Sequence, residues 1–166
     1  SSDVCPSDLS GACAAAFGAE EEGSVIRLAE PGDAAQLFEL NERFNGPSGS
    51  TVELMARSLG ENPQELVVVA DMEGTLAGFV CVQVKRSFCY EIPSAEVTEV
   101  FVDEEYRRRG LGREMLSFAE RAAIESFGSL GELTVLTGGD NLSAQELYND
   151  AGFVREDEVM FLKEPS

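Results

Sequence analysis

Hydrophobic positions alternate between strand-like and helix-like spacing from Ser24 to the end of the chain. Runs rich in β-branched residues, such as Leu66–Ala70, are typical of strands. Apolar residues three or four apart, as at Leu111, Met115 and Phe118, predict a helix with one buried face. Strands are predicted at 25–28, 66–70, 75–84, 96–102, 133–137, 153–154 and 159–162, with a hairpin turn at 71–74. Helices are predicted at 34–44, 51–59, 111–122 and from 141 or 143 to 151. This order predicts an α/β (α+β) domain.

The N-terminal segment differs from the rest, because Ser1 to Glu22 shows neither period. Residues 1–9 resemble a translated sequencing-adaptor remnant, and no Lys or Arg precedes the weakly apolar stretch at 11–19, so a secretory signal does not fit. We therefore expect residues 1–23 to be a disordered or artefactual segment. Residues 24–166 are expected to form a single domain.

The charge balance restricts the partners. The chain of 166 residues carries 12 basic and 31 acidic side chains, no histidine and a net charge of −19. Such a field repels phosphates and attracts cations, so neither nucleic acid nor a membrane surface is an expected partner. Without histidine, acid and base chemistry must use carboxylates, tyrosine, lysine or thiols.

The four cysteines, Cys5, Cys13, Cys81 and Cys89, have no C-x-x-C spacing, so no metal site is expected. Cys81 lies within an apolar run and is typical of a small core residue. A reducing, cytoplasmic setting is the simplest expectation.

A loop rich in arginine and glycine, Arg107–Gly112, separates the strand at 96–102 from the helix at 111–122, and Arg113 adds a fourth basic residue. Free amides at a helix start bind anions, and glycine lets an anion approach the backbone closely. The segment therefore predicts a polyphosphate site. A surface arginine cluster with incidental glycines is the alternative, and neither G-x-x-x-x-G-K-[ST] nor G-x-G-x-x-G is present.

Two motifs together resemble the GNAT superfamily of acyl-CoA-dependent N-acyltransferases. The first, [R/Q]-x-x-G-x-[G/A], is matched by Arg107–Gly112. The second, N-x-x-A-x-x-L-Y-x-x-x-G-F, is matched by Asn141–Phe153. The resemblance covers roughly residues 25–163. It implies a mixed central sheet of about six to seven strands, about four flanking helices and a pair of strands splayed apart at the cofactor.

The resemblance also implies roles in binding acetyl-CoA. Amides of the loop would hold the pyrophosphate, main-chain groups of Phe101 and Val102 would bond the pantetheine, and an amide near Val100 would polarise the thioester carbonyl. The implied cofactor-binding residues are Val100, Phe101, Val102, Arg107, Arg108, Arg109, Gly110, Leu111, Gly112, Arg113, Asn141, Ala144 and Tyr148. Tyr148 would in addition donate a proton to the leaving thiolate, and the alternative for its ring is simple packing on the sheet.

A base must also deprotonate the acceptor amine, and the strand at 96–102 offers Glu96 and Glu99. Both occupy positions where members of the superfamily place a carboxylate. Residues three apart face opposite sides of a regular strand, so at most one faces the acceptor unless a bulge intervenes. We favour Glu99, which lies closer to the expected thioester. Ordinary solvated strand polarity is the alternative for each.

The acceptor is expected to be a cationic small-molecule amine, with an aminoglycoside as the first choice. The acidity suits a substrate with several ammonium groups, although it also suits solubility, and the tail at 148–161 is similar to tails of aminoglycoside 3-N-acetyltransferases. Segments 45–50 and 86–92 are expected to cover the acceptor, and Glu91, Glu99 and Glu158 are candidate ammonium ligands. A protein, peptide or polyamine amine, and a non-catalytic CoA-binding module, remain alternatives. A homodimer is the default expectation.

Overall fold

The computed structural model describes residues 23–165, so the predicted N-terminal segment, apart from Gly23, lies outside the described residues. One sheet has helices on both faces. Its strands are β1 (Ser24–Leu28), β2 (Glu65–Met72), β3 (Thr75–Lys85), β4 (Ser94–Val102) and β5 (Leu133–Val135). The helices are α1 (Ala34–Asn45), α2 (Val52–Glu61), α3 (Leu111–Phe127) and α4 (Leu142–Asp150). The predicted α/β class, with a mixed sheet and four helices, is confirmed.

The sheet separates two hydrophobic clusters. Strands β1 to β4 are antiparallel neighbours and β5 runs parallel to β4. On one face α3 buries Leu111, Met115, Leu116 and Ala119, which follow helical spacing and pack against alternate strand residues. On the other face, Leu37 and Leu40 of α1 pack against β2 and β3. The strands can therefore present one set of side chains to each helical layer.

The β2–β3 hairpin follows from its turn residues. Glu73 and Gly74 both have positive φ, 54° and 94°, which matches the primed turns that suit the right-handed twist of a hairpin. Asp71 supports the turn, because its Oδ1 accepts a hydrogen bond of 2.7 Å from the Gly74 amide. The predicted hairpin at 71–74 is confirmed.

The strand count is lower than expected. Residues 23–165 contain five strands, whereas six to seven were predicted, and β5 ends at Val135. The predicted closing strands at 153–154 and 159–162 are wrong here, because their backbone has no ladder partner and side chains such as Phe161 are exposed. An apolar run supplies strand propensity but not the neighbour that completes a ladder. Among the described residues, no helix has the length and apolar character needed to cross a membrane.

Candidate active site

The loop before α3 presents a row of free amides. Arg108 and Gly110 have positive φ, 64° and 79°, so the chain turns sharply before the helix begins at Leu111. No main-chain N–H from Arg108 to Arg113 donates to an acceptor within residues 23–165. Free amides at the positive end of a 17-residue helix have the chemistry that binds anions, as the sequence predicted.

The four arginines of this region have different surroundings. Arg107 folds back, with its Nε donating to the Val102 carbonyl at 3.0 Å. Arg109 lies over the Tyr106 ring, 5.3 Å from the ring centroid, and its Nη2 donates to the Glu105 carbonyl. Arg108 and Arg113 form no ion pair within the described part of the chain. Arg108 and Arg113 are therefore the guanidinium groups that remain available for phosphate.

Strand β4 has an open edge next to this loop. It pairs with β5 only through Ala95–Val97, so the strands separate beyond that point, as the splayed pair predicted. The Asp103 amide donates a hydrogen bond of 2.8 Å to the Ala77 carbonyl. Every second residue of an antiparallel strand directs its main-chain groups to the same neighbouring strand, so the main chain of Phe101 also faces β3. The main-chain groups of Val100 and Val102 therefore face away from β3. They face the space where β4 and β5 separate, which we call the cleft.

Phe101 contributes its ring to the other face of the sheet. The ring lies 5.2 Å from that of Phe44 in α1 and 6.0 Å from that of Phe79 in β3. Of the three residues assigned to the pantetheine strand, Val100 and Val102 therefore direct their main-chain groups away from β3, and the Val102 carbonyl already accepts the bond from Arg107. Phe101 packs its ring against α1 and β3. The assignments themselves remain predictions.

Helix α4 packs beside α3 on the same face of the sheet. Its first turn is capped by Asn141, whose Oδ1 accepts a 3.1 Å hydrogen bond from the Ala144 amide, so of the two predicted helix starts the one at 141 is confirmed. Gly112 is buried where α3 meets α4, and a Cβ on it would lie 3.2 Å from Leu147 Cδ2. The glycine therefore allows the two helices to approach, in addition to the part in the loop that the motif assigns to it.

Tyr148 lies in α4 with its ring half-buried against Phe153, at a centroid distance of 5.9 Å. Its hydroxyl makes no hydrogen bond to another residue of the range 23–165. Burial raises the pKa of Tyr148, and the carboxylate of Glu99 raises it further. The charge of Glu99 thus acts on Tyr148, and the raised pKa keeps the phenol protonated at neutral pH, as a proton donor requires.

A bulge in β4 brings both candidate bases to one face. Cys81 of β3 is opposite Glu99, but the next residue, Val82, is opposite Val97, so Thr98 is the extra residue. Glu96, opposite Gln83, therefore lies on the same side as Glu99. Glu96 differs in charge environment, because Lys85 forms an ion pair with it. Glu99 has no such cation within the described residues, which leaves its carboxylate free to accept a proton.

A cavity of about 230 Å³ lies beneath α1 and α2 and ends at Glu99. Asn41, Ser50 and Ser58 supply polar groups to its wall, and Glu65 of β2 supplies a second carboxylate. Sequence reasoning missed Glu65, since an acidic residue at the start of a strand resembles ordinary surface. Only the fold of α2 over β2 makes it part of a wall.

The other residues predicted for the acceptor side lie in different parts of the molecule. Ser50, from the predicted cover at 45–50, does line the cavity, whereas no residue of 86–92 does. Glu91 and Glu158 are exposed and lie outside this cavity, in the segment before β4 and in the C-terminal tail. Within residues 23–165, no three His, Cys, Asp or Glu side chains converge as metal ligands.

The thiol of Cys81 lies between the two carboxylates of the cavity. Burial raises the pKa of Cys81, and the charges of Glu65 and Glu99 raise it further. A thiol that stays protonated is a poor nucleophile, so Cys81 forms part of the wall instead of attacking a thioester.

Free amides that can receive a pyrophosphate lie beside an open strand edge that can pair with an amide-containing chain, and this arrangement suits a CoA thioester. The sequence model described as Acetyltransferase (GNAT) family matches residues 34–153, which is most of the chain. The chain belongs to this family.

Several solved structures share the fold. An aminoglycoside acetyltransferase from an uncultured soil metagenomic sample, in complex with sisomicin, is 19% identical, with a TM-score of 0.74 over 87% of this chain and 97% of that one. AAC(6′)-Iy, in complex with the bisubstrate analogue CoA-S-monomethyl-acetylneamine, is 17% identical, with a TM-score of 0.75 over 87% of this chain and 100% of that one. A ribosomal-protein-alanine N-acetyltransferase from Brucella melitensis is 15% identical, with a TM-score of 0.70 over 86% and 99% of the two chains.

Proposed function

We propose that this N-acetyltransferase acetylates an amine of a cationic small molecule, with an aminoglycoside as the preferred class. The observation that carries this proposal is the free carboxylate of Glu99, which lines a cavity beneath α1 and α2 and lies close enough to Tyr148 to affect its pKa. A carboxylate without a protein cation in a cavity attracts an ammonium group and can take its proton.

The charges on the two sides of the cleft support this division of roles. Free amides and the guanidinium groups of Arg108 and Arg113 favour an anion on the α3 side, as CoA requires. The acidic cavity on the α1–α2 side favours a cation, and the whole chain carries a net charge of −19. The similarity to a structure that holds sisomicin, and to one that holds an acetylneamine conjugate, adds support at the level of the fold.

The chain's own residues account for the two proton movements. Acetyl-CoA, when bound, supplies an acetyl group activated as a thioester. Glu99 would accept the proton of the attacking ammonium, and the phenol of Tyr148 would donate one on the thiolate side. Lys85 compensates Glu96, so Glu99 is the better base of the two.

A protein amine is the second candidate, because one structure with this fold is a ribosomal-protein-alanine N-acetyltransferase. A protein substrate needs an open groove that admits a chain. Side chains of α1, α2 and three strands line the Glu99 cavity of about 230 Å³, and a pocket of this kind suits a small molecule better than an extended chain.

The test is release of free CoA thiol from acetyl-CoA in the presence of kanamycin, gentamicin, spermidine or a peptide with a free N-terminal alanine. The proposal expects rapid release with an aminoglycoside, loss of release in Glu99→Gln and little change in Glu91→Gln. Release with the peptide alone would favour the second candidate. Tight binding of acetyl-CoA without release for any amine would contradict an enzymatic role and favour a CoA-binding module.

A further inference from the structure

The cavity beneath α1 and α2 contains a second free carboxylate on a different strand from Glu99. Glu65 is the first residue of β2, and its side chain enters the same wall as Glu99 of β4. Neither carboxylate forms an ion pair within residues 23–165. The cavity therefore holds two negative charges that no described protein group neutralises.

Glu65 is held in one orientation by uncharged donors. Gln83 Nε2 donates to Oε1 at 2.9 Å, and the hydroxyl of Ser58 in α2 donates to Oε2 at 3.3 Å. These bonds orient the carboxylate and leave its charge intact. Glu96, on the same face of the sheet, shows the contrast, since Lys85 pairs with it. The Glu65 carboxylate is thus held in a defined orientation, and no cation of the described residues pairs with it.

The strand register sets the separation of the two carboxylates. Val67, Cys81 and Glu99 are side by side on β2, β3 and β4, and Glu65 lies two residues before Val67 on the same face. Glu65 and Glu99 are separated by two strand-to-strand distances across the sheet and by two residues along the strand. These separations place their Cα atoms about 12 Å apart. Two ammonium groups on one small molecule can therefore pair with the two carboxylates, one with each.

We propose that Glu65 is a specificity-determining residue that binds a second ammonium group of the acceptor, so that the cavity selects amines with at least two positive charges. The inference rests on the proposed function and adds a substrate requirement to it. Asn41 and Ser50 supply uncharged polar groups to the same wall and suit the hydroxyls of an aminosugar.

The test compares two acceptors, kanamycin with several ammonium groups and glucosamine with one. Dissociation constants by calorimetry and KM by thiol release are measured for the wild type, Glu65→Gln and Glu65→Asp. Glu61→Gln is the matched control, since Glu61 is exposed at the end of α2 and lies outside the cavity. Thermal unfolding of each variant measures any stability that is lost with the hydrogen bonds from Ser58 and Gln83 to residue 65.

Glu65→Gln should weaken kanamycin binding and raise its KM by about ten- to one hundredfold, with little change in kcat, because a charged hydrogen bond is lost. Glucosamine should change little, Glu61→Gln should match the wild type, and Glu65→Asp should retain part of the preference. An unchanged kanamycin-to-glucosamine ratio in Glu65→Gln would overturn the inference and leave the proposed function intact. A wild type that binds neither compound and acetylates no amine would overturn both.

Discussion

Gly78 in β3 lies against the stretch of β4 that is predicted to bind the cofactor. A Cβ at this position would lie 2.3 Å from the Phe101 carbonyl oxygen and 3.0 Å from Val102 Cα. Real Cβ contacts are essentially never closer than 3.0 Å, so Gly78→Ala must push β4 away by about 0.7 Å. Phe101 and Val102 belong to the stretch of β4 beyond its pairing with β5, so the displacement reaches the cleft directly.

The expected cost follows from the size of this displacement. Overpacking of this kind costs about 1–3 kcal/mol, which for a chain of this length lowers Tm by about 2–12 °C. Because the cleft strand moves, kcat/KM for acetyl-CoA should also fall, by up to about 100-fold. Gly32→Ala is the matched control, since a Cβ there meets nothing within 4 Å and its φ is not positive.

Thermal unfolding and initial rates with varied acetyl-CoA measure the two effects. We expect Gly78→Ala to lose stability and acetyl-CoA efficiency together, while Gly32→Ala retains both. Equal melting temperatures for the two variants would refute the close approach of β3 to Phe101. A destabilised Gly78→Ala that keeps full efficiency would refute the position of the cofactor beside this part of β4.

Three further predictions concern titratable groups. Tyr148→Phe should lower kcat by about 100-fold or more with little change in acetyl-CoA affinity, because it removes only a proton donor; equal kcat would contradict that role. Glu99→Gln should lower the Tyr148 pKa, measured by ultraviolet titration, because it removes a charge that raises it. Hydrogen bonds from the Arg27 guanidinium lower the pKa of Asp33. The Asp33 carboxylate therefore stabilises the fold above about pH 4, and this stabilisation is lost as the pH falls through the lowered pKa. Acid unfolding should therefore depend less on pH in Asp33→Asn, and identical pH profiles would exclude the contribution.

Local signals in the sequence predicted local features well. The hairpin turn needs a residue that tolerates positive φ, and Gly74 supplies it. The start of α4 needs a side-chain cap, and Asn141, directly before the helix, supplies it. The turn before α3 belongs to the same class, because its glycines and the helix start are contiguous; that this loop binds an anion stays a prediction. Such features depend on a handful of neighbouring residues, so a pattern can indicate them.

Features that depend on a partner strand were not predictable in this way. The bulge at Thr98 places Glu96 and Glu99 on the same side of β4. It depends on how β4 pairs with β3, so the residues of β4 alone do not predict it. Glu65 becomes part of the cavity wall only because α2 folds over β2. The expected closing strands failed for the same reason, since propensity at 159–162 does not provide a neighbour.

The central claim is that the amides between Arg107 and Arg113 bind the pyrophosphate of coenzyme A, and Gly110 allows the most direct measurement. Asp and Asn have nearly the same shape and both tolerate the positive φ of 79° at this position, but only Asp adds a negative charge. Calorimetry should show that Gly110→Asp binds acetyl-CoA at least about tenfold more weakly than Gly110→Asn, because a carboxylate opposes the phosphates. Equal dissociation constants for the two variants would contradict the claim.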